Sequence, residues 1–207
     1  MHVEFLVEEY SAEEALRNIL PLILQGKMTF DIHAFNGKHD LLACLPNRLK
    51  GYRAWLPEDS RIVVLVDRDT DDCYKLKAEL ERMVRQAGFT SKTAAAVSGQ
   101  FEVLNRIAIE ELEAWFFGDP IALKEAYPRV SGNIGNRAPY REPDAIAGGT
   151  WEALERVLMK AGYYPGGMPK VEVARNISKN MQPLRNTSKS FQIFRDALHE
   201  LSPGASS

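Results

Sequence analysis

Four carboxylates, Asp67, Asp69, Asp71 and Asp72, fall within six positions directly after the apolar run Ile62-Val-Val-Leu-Val66. At an effective dielectric constant near 20, two like charges about 4 Å apart repel by roughly 4 kcal/mol. Acids this dense are therefore accommodated when they are solvated, protonated or gathered around a cation. Asp71 or Asp72 can cap a following helix. Asp67 and Asp69 are the pair with chemical promise. An extended backbone puts residues i and i+2 on one side, so both carboxylates can converge on a hard, oxygen-preferring ion such as Mg²⁺ or Mn²⁺. Taken alone, Asp-x-Asp reads more readily as a solvated acidic loop with a helix cap. Two further acidic groups stand in similar places: Glu8-Glu9 after a strand-like run, and Glu110, Glu111 and Glu113 before the apolar stretch Ala114-Trp-Phe-Phe117. Lys38, just after Gly37, can meet an anionic ligand at a helix N-terminus, or be a solvated turn residue.

These acids need elements to hold them. Residues 2–8, 30–35, 62–66, 90–97 and 102–109 read as strands, and the central run has the β-branched composition of a strand buried on both faces. Ser11-x-x-Glu14 has the pattern of a capping box, opening a helix that reaches Gly26 with a kink or fresh turn expected at Pro21. Leu41, Leu42, Leu45, Leu49 and Tyr52 mark a second helix. Tyr74, Leu76, Leu80, Met83, Val84 and Ala87 mark a third, stopping at Gly88. Alternating strands and helices predict an α/β fold, a mainly parallel sheet flanked by helices. If its strands are parallel neighbours, Glu8 and the aspartates open on one edge, the edge where such sheets bind ligands. Glu110 and Glu113 would share a face on a helix, Glu111 and Glu113 on a continuing strand. His33 reads as an ordinary strand residue.

The chain divides into an α/β core over residues 1–120, a Pro-, Gly-, Asn- and Arg-rich surface excursion over 121–150, and a helical annex over 151–203 packed on the core. Helices are predicted at 151–159, 170–181 and 188–201, and 204–207 reads as a frayed tail. The net charge of −2 conceals a gradient. Residues 1–120 hold 14 Lys/Arg against 20 Asp/Glu, while residues 151–207 hold 8 against 5. That is an acidic front with a mildly basic tail, not the strongly basic surface of a general nucleic-acid binder. Cys44 and Cys73 lack the spacing of a zinc site or a disulfide framework. No signal peptide or membrane-length apolar run is evident, so a cytoplasmic protein with no membrane partner is expected.

The order strand-Glu8, helix, strand, Gly-containing turn, helix, strand-Asp67-x-Asp69 resembles the Toprim domain of topoisomerases, primases and OLD-family nucleases, over roughly residues 1–120. More narrowly, Phe5-Leu-Val-Glu-Glu9, Phe35-Asn-Gly-Lys38, Val66-Asp-Arg-Asp69, Glu111-Leu-Glu-Ala-Trp115 and Asn186-Thr-Ser-Lys-Ser-Phe191 resemble an uncharacterised Toprim-like bacterial branch. At Glu8-Glu9 the chain departs from the Glu-Gly of many Toprim domains. The resemblance implies a Toprim-like, Rossmann-like fold and a nuclease that hydrolyses phosphodiester bonds in nucleic acid, with DNA the expected partner. It implies that Asp67 and Asp69 hold Mg²⁺ or Mn²⁺, that Glu8 is a ligand or general acid/base, and that Glu111 and Glu113 complete a second metal position. Lys170, Arg175, Arg185 and Lys189 in the basic tail would then contact phosphates, as would Lys38, although each tail cation taken singly reads as a solvated helix charge. A separate ATPase subunit and a role in phage defence are implied as well.

Two other readings compete. A haloacid-dehalogenase-like phosphatase also ends a strand in Asp-x-Asp followed by Thr, a form that Asp67-Arg-Asp69-Thr70 approaches, with Asp67 as nucleophile. It should carry a later acidic pair, and Asp119 stands alone. Alternatively the chain is a non-catalytic docking or DNA-binding subunit of an ATPase complex, which an exposed patch of Phe191 and Phe194 would favour. An EF-hand fails because Asp72 and Ala78 occupy its glycine and final glutamate positions.

Overall fold

The computed structural model describes residues 1–96 and 99–201. Four strands, β1 (His2–Val7), β2 (Thr29–Ala34), β3 (Arg61–Asp67) and β4 (Val103–Ala108), form one sheet in the order β2-β1-β3-β4. All three pairings are parallel. The helices are α1 (Tyr10–Leu24), α2 (Lys38–Trp55), α3 (Cys73–Gln86), α4 (Glu113–Phe117), α5 (Pro120–Ala126), α6 (Thr150–Lys160), α7 (Lys170–Ser178) and α8 (Lys189–His199). This is the expected α/β architecture, Rossmann-like in its parallel sheet flanked by helices. The strand order reverses between β1 and β3, which creates the topological switch point where such sheets bind ligands.

Side-chain alternation explains the layers. Val3, Phe5, Val7, Val63 and Leu65 face α1 and the C-terminal helices. Leu6, Val64 and Val66 face Leu41, Leu45 and Leu49 of α2 and Leu80 and Val84 of α3. The helix α7 packs along α1, and α8 touches α1 and β4, so the C-terminal third covers one face of the sheet. No described helix is long and apolar enough to cross a membrane.

The short helix α4 is locked to the C-terminal segment. Trp115 is fully buried between Phe191 and Phe194, with ring centroids at 5.1 and 5.0 Å. Its indole N–H donates to Ser190 Oγ at 3.0 Å, and Asn186 Nδ2 donates to its carbonyl at 2.8 Å. The motifs around Glu111 to Trp115 and Asn186 to Phe191 are thus two halves of one packing unit.

Several expectations change. Ser11 does not cap α1; the N-cap is Glu9, and Ser11 Oγ instead donates to Glu9 Oε1 at 2.5 Å. The helix runs through Pro21 without a break. Tyr74 is 88% exposed rather than part of the apolar face of α3. Of the strand expected at 90–97, only Ser91 bridges Val103 and residues 94–96 form a 3-10 turn, while Val97 lies outside the described residues. The 121–150 excursion is anchored: it contains α5 and three 3-10 turns, and Val130, Ile134 and Ile146 are buried. The tail 204–207 lies outside the described residues.

Candidate functional site

Parallel pairing of β1 with β3, in the register Val7 to Leu65, brings the residue after β1 next to the end of β3. Glu8 Oε2 accepts the backbone N–H of Asp67 at 3.1 Å. Since Val63 and Leu65 face α1, Asp67 projects to the same side, where Glu113 opens α4. Burial and the negative charges of Glu113, Glu8, Glu9 and Asp69 hold the Asp67 carboxyl well above its ordinary range. Burial also raises Glu8, reinforced by Asp69 and Glu9 and opposed by the Asp67 N–H and Lys38.

Glu113 is the most exceptional acid of the group. It is only 2% exposed, and its Oε2 has no hydrogen-bond partner among the described residues. Burial pushes its carboxyl up to about 7, with Glu9 and Glu111 adding to the effect and Lys170 opposing it. A buried, unpaired carboxylate oxygen costs on the order of 1–3 kcal/mol or more, so it calls for a proton or a cation.

Asp69 is near but differently engaged. The strand ends at Asp67, and Asp69 turns into the left-handed region at φ 49°, so the expected i, i+2 convergence on an extended backbone does not occur. Its carboxylate pairs with Lys38 Nζ at 2.6 Å. Its N–H donates to the carbonyl of Glu110 at 2.8 Å, and Glu110 is itself left-handed at φ 61°. Arg68 forms an ion pair with Glu110, so the loops after β3 and β4 are joined twice. Glu111 is committed elsewhere: its Oε2 accepts from Thr150 Oγ1 at 2.9 Å and from Trp151 N at 2.7 Å, capping α6. Neither the helical nor the strand alignment of Glu110, Glu111 and Glu113 is realised, because β4 ends at Ala108 and α4 begins only at Glu113.

One cation from the C-terminal region enters this group. Lys170 Nζ lies 3.7 Å from Glu9 Oε1 and 4.5 Å from the centre of the Trp151 ring. Burial would lower its pKa, yet Glu113, Glu9, Glu111 and Asp67 together raise it. The other expected phosphate contacts are corrected. Lys38 is held by Asp69, by Asp71 at 2.7 Å and by the Arg68 carbonyl at 3.1 Å. Arg175 pairs with Glu14 at 2.7 Å, and Arg185 makes a two-pronged pair with buried Asp119 at 2.8 and 3.0 Å. The Lys189 N–H serves the cap of α8 through Asp144, and its side chain points to solvent. Lys38, Arg175 and Arg185 thus found their acids through tertiary packing.

The donor types at this edge are those a hard divalent cation takes, although the ligand atoms that gather within 4.8 Å of one another among the described residues are those of His2, Glu4 and Asp31. Asp67, Glu8 and Glu113 offer oxygen donors whose mutual repulsion a metal would relieve, and Asp69 borders them. Glu9 and Lys170 belong to the same edge, and their spacing to the aspartates gave no sign of it. A separate polar group escaped notice at the amino end of the sheet. Glu4, buried, is contacted by His2 Nε2 at 3.1 Å, His33 Nε2 at 2.6 Å and the Tyr52 hydroxyl at 2.9 Å. Burial would raise its carboxyl, but these hydrogen bonds hold it below its ordinary value. His2, Glu4 and Asp31 bring ligand atoms within 4.8 Å of one another and could hold a metal. The alternation His2-x-Glu4 on one strand beside Asp31-x-His33 on another was the available signal. A cavity of about 550 Å³ opens at this same amino end, lined by Tyr52, Ser60 and Glu102 among others, away from the acidic edge.

The model of a family described as Domain of unknown function (DUF4276) matches residues 7–199, nearly the whole chain, and the chain belongs to that family. No curated protein and no solved structure matches it.

Proposed function

We propose that this member of the DUF4276 family is a Mg²⁺- or Mn²⁺-dependent, Toprim-like nuclease that cleaves phosphodiester bonds of nucleic acid, DNA in the first instance, at the carboxyl edge of its sheet. The observation that carries the reading is the orphaned, buried Oε2 of Glu113, set beside Asp67 and Glu8 at the β1/β3 switch point. Asp67, Glu8 and Glu113 would hold the metal, with Asp69 at its border. When bound, a divalent cation would supply Lewis-acid stabilisation of phosphate oxygens and an activated water.

The chain's own groups have complementary tasks. Glu8, raised above the ordinary carboxylate range by burial and fixed by the Asp67 N–H, can take or return a proton at its other oxygen. Lys170, held charged by the surrounding acids, can donate to a non-bridging phosphate oxygen.

Two observations weigh against the rival readings. A phosphatase would need Asp69 free as acid/base and a later acidic pair, whereas Asp69 is held by Lys38 and Asp119 by Arg185. The aromatic docking patch is missing, because Phe191 and Phe194 are buried on Trp115. A partner ATPase and a setting in phage defence remain within the proposal, supported by the family resemblance.

The test is Mn²⁺ titration by calorimetry with a plasmid-nicking assay. Asp67→Asn/Asp69→Asn should lose binding at this edge and Asp67→Ala should lose nicking with the fold intact by circular dichroism. His2→Ala serves as a control for the second polar group and should leave nicking unchanged. Nicking retained by Asp67→Ala would refute the site.

A further inference from the structure

Residues 129–140 and the last turns of α6 enclose a half-open cavity of about 410 Å³. That is within the size range of ligand pockets. Four cations line it, Arg129, Arg137, Arg156 and Lys160, and no carboxylate does. Its floor is apolar, from buried Val130, Ile134 and Val157.

These cations lack the carboxylate partners that several others have. Lys38, Lys77, Lys92, Lys170, Arg175 and Arg185 each sit against a carboxylate. Arg129 is held by the Gly162 carbonyl at 2.8 Å and by Tyr163, whose ring face it covers at 3.9 Å and whose hydroxyl accepts its backbone N–H at 3.3 Å, and it pairs with no carboxylate among the described residues. The side chains of Arg137, Arg156 and Lys160 have no ion pair or hydrogen bond among the described residues. The dipole at the C-terminus of α6 favours Arg156 and Lys160 where they stand. It does not account for Arg129 and Arg137, which arrive from a separate segment across the cavity. Four like charges converging without a counter-charge make a focused positive field suited to an anion.

The same helix joins this cavity to the acidic edge. Its N-terminus is capped by Glu111, at the acidic group, and Arg156 and Lys160 come six and ten residues after Thr150. At 1.5 Å per residue they lie about 9 and 15 Å along the axis. One strand of a duplex advances about 3.4 Å per nucleotide, so that interval spans about three to four nucleotides.

We propose that the Arg129, Arg137, Arg156 and Lys160 cavity binds the phosphodiester backbone of the substrate strand, three to four nucleotides from the bond cut at the acidic edge. The inference rests on the nuclease reading for its substrate. It assigns the anchoring phosphates to this pocket instead of to Arg175 and Arg185, which are internally paired.

The test is binding of a fluorescently labelled oligonucleotide, single- and double-stranded, by anisotropy without divalent metal and over a salt series. The variant is Arg137→Ala/Arg156→Ala/Lys160→Ala, all exposed side chains. We expect a loss of affinity of about tenfold or more at 0.1 M salt, and a slope of log affinity against log salt shallower by about 2 to 3, as three lost phosphate contacts require. Arg137→Lys/Arg156→Lys/Lys160→Arg should keep the wild-type slope. An unchanged affinity and slope in the alanine variant would overturn the pocket while leaving nicking by the wild type, and hence the nuclease reading, untouched. Pocket-dependent binding by a wild-type chain that never nicks with Mn²⁺ would uphold the pocket and overturn the nuclease reading. If pyrophosphate or a mononucleotide raises the melting temperature of the wild type and not of the variant, while oligonucleotide binding is equal in both, the pocket takes a small anion and the proposal fails.

Discussion

Glu8 accepts a hydrogen bond from the backbone N–H of Asp67 at 3.1 Å, linking the first residue beyond β1 to the last residue of β3 across the switch point of the sheet. One oxygen of Glu8 is thereby oriented by the main chain and the other is left for chemistry. The bond also places Glu8 against an Asp67 whose carboxyl is already raised by burial and by Glu113. The metal-free edge is therefore electrostatically strained.

The stability of the metal-free protein should fall as pH rises from about 4.5 to about 7. Glu113 is raised in the folded state from 4.5 to about 7, so the folded chain binds the extra proton in that window. Its contribution is complete below 4.5 and lost as pH passes 7. The upper limit of the loss is about 3 kcal/mol. Thermal melts across this range should show the decline, with Glu113→Gln flattening it and saturating Mn²⁺ reversing it. A melt independent of pH in the wild type would contradict the buried, unpaired carboxylate.

Lys170→Met should separate binding from catalysis. The lysine sits among Glu9, Glu113, Glu111 and Asp67 and competes with a metal for their charge. Its removal should tighten Mn²⁺ binding several-fold in calorimetry and slow nicking at least about tenfold, because the phosphate loses a donor. Unchanged nicking would reduce Lys170 to an internal counter-charge.

Glu111→Ala should act on the fold more than on the metal. Its Oε2 holds Thr150 and Trp151 at the start of α6, and losing a helix cap typically costs about 1 kcal/mol. We expect a lower denaturation midpoint with Mn²⁺ affinity within about threefold of wild type. A tenfold loss of affinity would return Glu111 to the ligand set that the Toprim resemblance implies.

Gly118→Ala should loosen the C-terminal clasp. A Cβ there would lie 2.1 Å from Asn186 Oδ1 and 2.8 Å from the Ser188 backbone nitrogen, and the carbonyl of Gly118 already accepts the Thr187 N–H at 2.8 Å. The overlap falls partly on backbone, so repacking is expensive, on the order of 1–3 kcal/mol. Chemical denaturation measures the loss. Lys170 begins α7 in the same C-terminal third, so Mn²⁺ affinity should shift with the midpoint.

How much of this was legible in the chain follows from the range of the interactions. Strands β1, β3 and β4 and helices α1 to α3 were readable because periodicity and β-branched composition act over a few residues. The placement of Glu8 and Asp67 on one edge followed from parallel order alone. Asp72 as a cap, its Oδ1 accepting from the N–H groups of Tyr74 and Lys75, is an equally local event. What the tertiary structure alone decided was the choice of partner. Lys38 took Asp69 and Asp71 from 31 and 33 positions away, Glu111 took the N-terminus of α6, and Arg175 took Glu14 across 161 residues of sequence. Lys170 reached the acidic edge only because α7 packs along α1. A charged side chain in sequence is open to any counter-charge, and the backbone path that brings one within reach is set by the packing of the whole sheet. The acidic residues of the edge were thus written in the chain, whereas the one whose buried oxygen is left without a partner among the described residues, Glu113, was determined by the fold.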